Sequence, residues 1–254
     1  MHQPTLRVLQ VLQNIASEGS GKRLTELSRE LDIPKSTLLP ILQTLCRQRF
    51  LTQDETGRYG AGTSLFSLGA TFSGKFPILP YVHEQLERLV RELGETCYFG
   101  VLNGGDVLYL EKADSPQPLR MLTSVGHRLP AYATGLGKAL LMEHDVSQLK
   151  ALYPDPLPSL TEQTITDLPQ LNLQLRQARM DGFTWESEES TPHVRCFAVP
   201  VRKHGQIVAA ISVTIPLFRY EENQKKRILD ALTETSRRIQ QTIEQTNAHF
   251  TDIF

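Results

Sequence analysis

The sequence predicts an α+β protein made of an N-terminal winged helix-turn-helix, a short linker helix and a larger C-terminal domain of mixed strands and helices. Residues 24–59 read as two short helices, a tight turn and a β-ribbon, the order found in proteins that read DNA. From residue 96 the apolar period shifts from that of a helix to that of extended chain. Strands and helices then follow one another without the regular strand-helix-strand alternation of a parallel sheet.

Val8, Leu9, Leu12, Ile15 and Ala16 fall at helical spacing and supply a first helix to bury the next two. Leu24, Leu27 and Leu31 form one apolar stripe, leaving Glu26, Arg29 and Glu30 to solvent. Pro34 ends that helix, because it has no amide hydrogen and disfavours helical geometry at Ile33. A second helix starts near Lys35 and turns Leu38, Ile41, Leu42 and Leu45 inward. Its first residues, Lys35, Ser36 and Thr37, lie at the end that such a motif inserts into the major groove, where a lysine and hydroxyls reach phosphates and base edges. Leu39, Pro40, Gln43 and Arg47 on the same helix, with Arg49, Arg58 and Tyr59 around the ribbon, complete the candidate DNA contacts. Pro40 is expected to remove an interior hydrogen bond at roughly 3 kcal/mol, or to kink the helix. Phe50-Leu51-Thr52 and Arg58-Tyr59 flank a glycine-containing turn at 53–57, the expected shape of a wing.

The alternative for this segment is a helical subdomain that packs on a protein partner. Charge separates the two readings. Residues 1–75 hold nine basic and six acidic side chains, a net of +3, against −4 for the remainder and −1 for the chain. A basic reader on an acidic body favours duplex DNA as the partner.

A chain of 254 residues that is 40% hydrophobic suits one large or two modest domains. No apolar run reaches membrane-spanning length, and the start MHQPTLRVLQVLQ is amphipathic rather than a secretory leader. A cytoplasmic protein with no membrane partner is expected. Cys46, Cys97 and Cys196 match neither a disulfide framework nor a metal clamp, so no metal or cofactor is expected either. His83-Glu84-Gln85-Leu86-Glu87 lacks the second histidine of a zinc-protease helix, and there is no GxSxG and no dinucleotide glycine fingerprint. Nothing local supplies a base for Cys196. An enzyme is therefore not expected.

Gly60-Ala61-Gly62 and the stretch Ser73-Gly74-Lys75-Phe76-Pro77 bracket an apolar segment, giving a winged helix-turn-helix over 1–62, a linker helix over 63–76 and a second domain over 77–254. Val82, Leu86, Leu89, Val90 and Leu93 form a helix stopped by Gly94. Residues 96–102 and 107–111 read as strands joined by a turn at Asn103-Gly104-Gly105-Asp106. Further strands are expected at 119–125, 194–201 and 207–215, with helices at 134–142, 167–180 and 221–247.

Three stretches resemble the IclR family of bacterial transcription regulators: ETGRYGAG at the end of the wing, GHRLPAYATGLGKALL at 126–141, and HVRCFAVPV from His193. The resemblance implies a winged helix followed by a GAF-like effector-binding domain, in a homodimer or homotetramer on operator DNA, and a small carboxylate as effector. By position it implies an effector site of Leu119, Gly135, Leu136, Glu186, Cys196, Ser212 and Thr214. Gly135 and Gly137 are expected to leave backbone amides uncovered at a helix start, a natural seat for a carboxylate. This is not a phosphate loop, which would need glycine at Tyr132 and a hydroxyl at Ala139. Ser212 and Thr214 alternate on one strand and share a face. The chain departs from the family at three positions. Glu186 stands where an aspartate is usual, so a longer carboxylate faces an anionic ligand. His193 replaces a glycine, which alters backbone geometry or adds a titrating group to the cavity. Pro40 replaces a basic residue, which implies a changed operator.

Overall fold

The structure, a computed structural model, describes residues 1–16, 21–74, 76–118, 123–153 and 156–246. It divides into two units, Met1–Lys75 and Phe76–Phe254. The first holds α1 (Gln3–Ala16), β1 (Lys22–Arg23), α2 (Leu24–Glu30), α3 (Lys35–Arg47), β2 (Leu51–Gln53), β3 (Arg58–Ala61) and α4 (Thr63–Ser73). The strands pair antiparallel in the order β1-β3-β2. Val11, Ile15, Leu27, Ile33, Leu38, Leu42, Leu45, Leu51 and Tyr59 form the core. On α1 the buried stripe is shifted from the expected one: Val11 is sealed while Leu9 is half exposed. The repeat VLQVLQ offers two overlapping stripes, and packing selects between them.

Between α2 and α3, Asp32 adopts φ +50° and the Ser28 hydroxyl donates to the Ile33 carbonyl at 2.7 Å. The Pro34 carbonyl then accepts the amides of Thr37 and Leu38, starting α3. The helix runs unbroken through Pro40. Pro40 lies in its second turn, so the carbonyl it leaves without a donor is that of Ser36, an exposed residue that water can reach. The helix ends where Phe50 donates to the Leu45 carbonyl and Arg49 to that of Cys46, with Arg49 left-handed at φ +59°.

The second unit contains α5 (Leu79–Leu93), β4 (Thr96–Asn103), β5 (Asp106–Ala113), β6 (Arg128–Pro130), α6 (Gly135–Leu141), α7 (Val146–Leu152), α8 (Leu168–Asp181), β7 (Thr184–Ser187), β8 (Val194–Lys203), β9 (Gln206–Pro216) and α9 (Lys225–Thr246). Six antiparallel strands lie in the order β6-β5-β4-β9-β8-β7. Strand alternation gives the sheet two buried faces. Phe99, Val101, Phe197, Val199, Ile211 and Val213 pack with α5 and α9. Tyr98, Ala198 and Ala210 pack with α6, α7 and α8 on the other side. Gly105, in the β4–β5 turn, is crowded by Tyr153: a Cβ there would meet the ring at 2.7 Å, and the phenol donates to the Gly105 carbonyl at 2.6 Å. Of the strand expected at 119–125, the part that is described, Thr123 to Val125, is irregular and ends in a turn; Leu119 lies outside the described residues. The short elements β1, β6, β7 and α7 had no counterpart in the sequence reading, being too brief to show a period.

Candidate functional site

Glu186 on β7 pairs in register with Cys196 on β8, and Cys196 with Thr214 on β9. One transverse row of polar side chains thus crosses three strands. With Gly135 at the start of α6, it lines a cavity of about 30 Å³, whose other walls include Tyr98, Tyr109, Thr123, Thr134 and Ser190. That is room enough to admit water. Two further residues of the expected set, Leu136 and Ser212, do not line the cavity and act on it through Cys196. The Leu136 amide and the Ser212 hydroxyl both approach the thiol, and the Thr214 hydroxyl donates to it at 3.7 Å. Burial, aided by the nearby Glu186 carboxylate, pushes the thiol up to about 12. Cys196 is therefore a neutral, weak donor rather than a nucleophile.

Gly135 and Gly137 have a packing reason to be glycine besides the one expected. A Cβ on Gly135 would lie 2.9 Å from Cys196 Sγ, and one on Gly137 would lie 2.3 Å from the Ala131 backbone. Close packing excludes a Cβ at both positions. The Gly137 amide is already taken by the Thr134 hydroxyl at 2.9 Å.

Glu186 is 99% buried and accepts the Glu189 amide at 2.8 Å. Burial nonetheless raises its carboxyl to about 7, against a weaker lowering by that amide. The site can therefore be neutral or negative near physiological pH. Lys138, which looks in sequence like a hook for an anion, is fully buried and spent on the carboxylate of Glu189. Thr161 and Thr164 hydroxyls hold the Glu188 and Glu189 carbonyls at 2.5 and 2.7 Å, fixing the segment that carries this pair. His193 takes φ +61°, the left-handed conformation that favours glycine, and its side chain is 88% exposed. The departure is thus in backbone geometry; His193 adds no group to the cavity.

In the first unit, α3 presents Lys35, Ser36, Leu39, Pro40, Gln43 and Arg47 to solvent, with Thr37 partly covered. Arg49 is exposed beside them. Two expected contacts are placed otherwise. Arg58 is partly buried, donating to the Gly21 carbonyl at 2.9 Å and pairing with Glu26 at 3.3 Å. Tyr59 is sealed in the core, 4% exposed. The wing turn is tied instead by Asp54, whose Oδ1 accepts the amides of Thr56 and Arg58 at 2.9 Å. Sequence reasoning missed Tyr98 and Tyr109. The signal available was parity, since Tyr98 sits opposite in phase to the buried Cys97, Phe99 and Val101.

Residues 5–55 match the family described as IclR helix-turn-helix domain, and residues 72–241 that described as bacterial transcriptional regulator IclR C-terminal. The chain is 33% identical over 236 residues to the HTH-type transcriptional regulator BhcR of Paracoccus denitrificans, covering 92% of this chain and 84% of the relative. It is 30% identical to the HTH-type transcriptional repressor AllR of Escherichia coli, covering 92% and 87%. Among solved structures it is similar to an IclR homologue from Microbacterium hydrocarbonoxydans complexed with 4-hydroxybenzoate, with a TM-score of 0.78, 23% identity and coverage of 94% and 98%.

Proposed function

The chain belongs to the IclR family of bacterial transcriptional regulators, and from that premise we propose that it is a cytoplasmic repressor, not an enzyme, that binds operator DNA as a homodimer or homotetramer and releases it in response to a small carboxylate. The observation that carries the ligand reading is the in-register row Glu186, Cys196 and Thr214 facing Gly135 across a buried cavity. A carboxylate seated there takes hydrogen bonds from Thr214 and Cys196, and protonated Glu186 supplies another. Buried polar atoms left without a ligand or water would each cost about 1 to 3 kcal/mol. In the first unit, the exposed face of α3 enters the major groove, and a symmetric dimer spaces its two reading helices by about one helical turn of DNA or a multiple of it. Coupling of ligand to DNA is expected at about 1 to 3 kcal/mol, or roughly 5- to 150-fold in affinity.

The test is selection of genomic fragments by the purified protein, followed by anisotropy titration of the selected duplex with a panel of small organic acids that includes 4-hydroxybenzoate. At least one acid should shift the DNA affinity of the native protein and not that of Thr214→Val. Fragments protected over a single half-site would overturn the dimer, and a panel without effect would overturn the ligand class.

A further inference from the structure

We infer that Tyr98 reads the second oxygen of the ligand: its phenol donates to a keto or hydroxyl oxygen of the bound carboxylate and so selects oxo and hydroxy acids over plain ones. This rests on the carboxylate reading above.

Tyr98 is 97% buried and lines the cavity with Gly135, Cys196 and Thr214. Its hydroxyl, next to Thr123, has no hydrogen-bond partner of good geometry among the described residues. Two other buried tyrosines differ: Tyr132 donates to the Pro158 carbonyl and Tyr153 to that of Gly105, both at 2.6 Å. The Tyr98 ring cannot simply swing toward such a partner, because it is wedged edge-on against Tyr109 with centroids 5.2 Å apart at 68°. A buried hydroxyl without a partner is costly, and a ligand oxygen removes that cost.

Register says where the oxygen lies. Tyr98 pairs with Ser212, one side-chain step along β4 from Thr96, which pairs with Thr214. The phenol therefore belongs to the row next to Glu186, Cys196 and Thr214, and a ligand held by that row presents its far oxygen to Tyr98. Burial holds the phenol in its protonated form, so it serves as donor at any working pH.

The experiment is calorimetric titration of the native protein and Tyr98→Phe with propanoate, lactate and pyruvate, and with benzoate and 4-hydroxybenzoate. Within at least one series the native protein should prefer the acid with the extra oxygen by about tenfold or more. In Tyr98→Phe that preference should shrink to about twofold, with the plain acid unchanged. A preference that survives in Tyr98→Phe means the phenol serves only a water and overturns the inference, leaving the carboxylate reading intact. If none of the acids binds the native protein, the carboxylate reading itself falls, and this inference with it. Thermal melting separates a structural role: Tyr98→Phe should melt at or above the native temperature, and a fall of several degrees would reveal an internal partner and overturn the assignment.

Discussion

Raising the pH from 6 to 8 should weaken carboxylate binding about tenfold, and Glu186→Gln should abolish the change. The Glu186 carboxyl titrates at about 7. At pH 6 about nine tenths of the molecules carry the proton and at pH 8 about one tenth, so a ligand that binds only the protonated site loses about 1.4 kcal/mol across the interval. The other groups on the cavity stay neutral in this window: burial lifts Cys196 to about 12 and the phenols of Tyr98 and Tyr109 above the ordinary range. The adjacent Lys138 is locked to Glu189. Calorimetry at fixed ionic strength in two buffers of different ionisation enthalpy measures the affinity and, at pH 8, the uptake of close to one proton per ligand. Affinity independent of pH, affinity rising with pH, or an unchanged slope in Glu186→Gln would refute the reasoning. The ligand-free protein should respond in a related way. A carboxyl whose folded value exceeds its unfolded one contributes its full stability below the ordinary range near 4.5, and loses it as pH climbs through about 7. Glu186→Gln should accordingly melt higher than the native chain at pH 8, the difference corresponding to about 3 kcal/mol.

Gly137→Ala forces a Cβ into the Ala131 backbone and should cost about 2 kcal/mol or more, read as a drop of several degrees in the melting of the second unit by circular dichroism. Pro40→Arg restores a helical amide and places a guanidinium on the exposed face of α3; the selected DNA sequences should change, and an unaltered profile would mean that position 40 faces away from the duplex. Lys35→Ala should lower the slope of log affinity against log salt by about 0.9, while Arg58→Ala, tied to Gly21 and Glu26, should act by loosening the wing and lowering its melting temperature. His193→Gly should leave ligand affinity within about twofold while relieving a left-handed backbone, a gain of up to about 1 kcal/mol in denaturant titration.

The order of helices and strands was readable because most elements are long enough to show their period. Leu24, Leu27 and Leu31 announce α2, and Gly94, at φ +78°, closes α5 where its sequence says it should. What failed to show depends on contacts far apart in the chain. Arg58 spends one guanidinium nitrogen on a carbonyl 37 residues earlier, and Tyr59 becomes core because α1 packs over β3. The cavity was legible in its members and not in its roles. Cys196 and Thr214 could be named from the family, but the thiol's position against Gly135, the detour of Leu136 and Ser212 through that thiol, and the stranded hydroxyl of Tyr98 all follow from strand register, which local sequence does not encode.

The contact between Gly135 and Cys196 makes the cavity a gauge of volume. The cavity is small, about 30 Å³, so a ligand that outgrows it has to make its own room. Most of its walls are side chains. At Gly135 there is none to turn: backbone rests directly on sulfur, and whatever pushes there pushes α6 as a body. For the proposed carboxylate, size is thus expected to be felt as displacement of α6, and an acid too small to reach that contact is expected to bind without being felt.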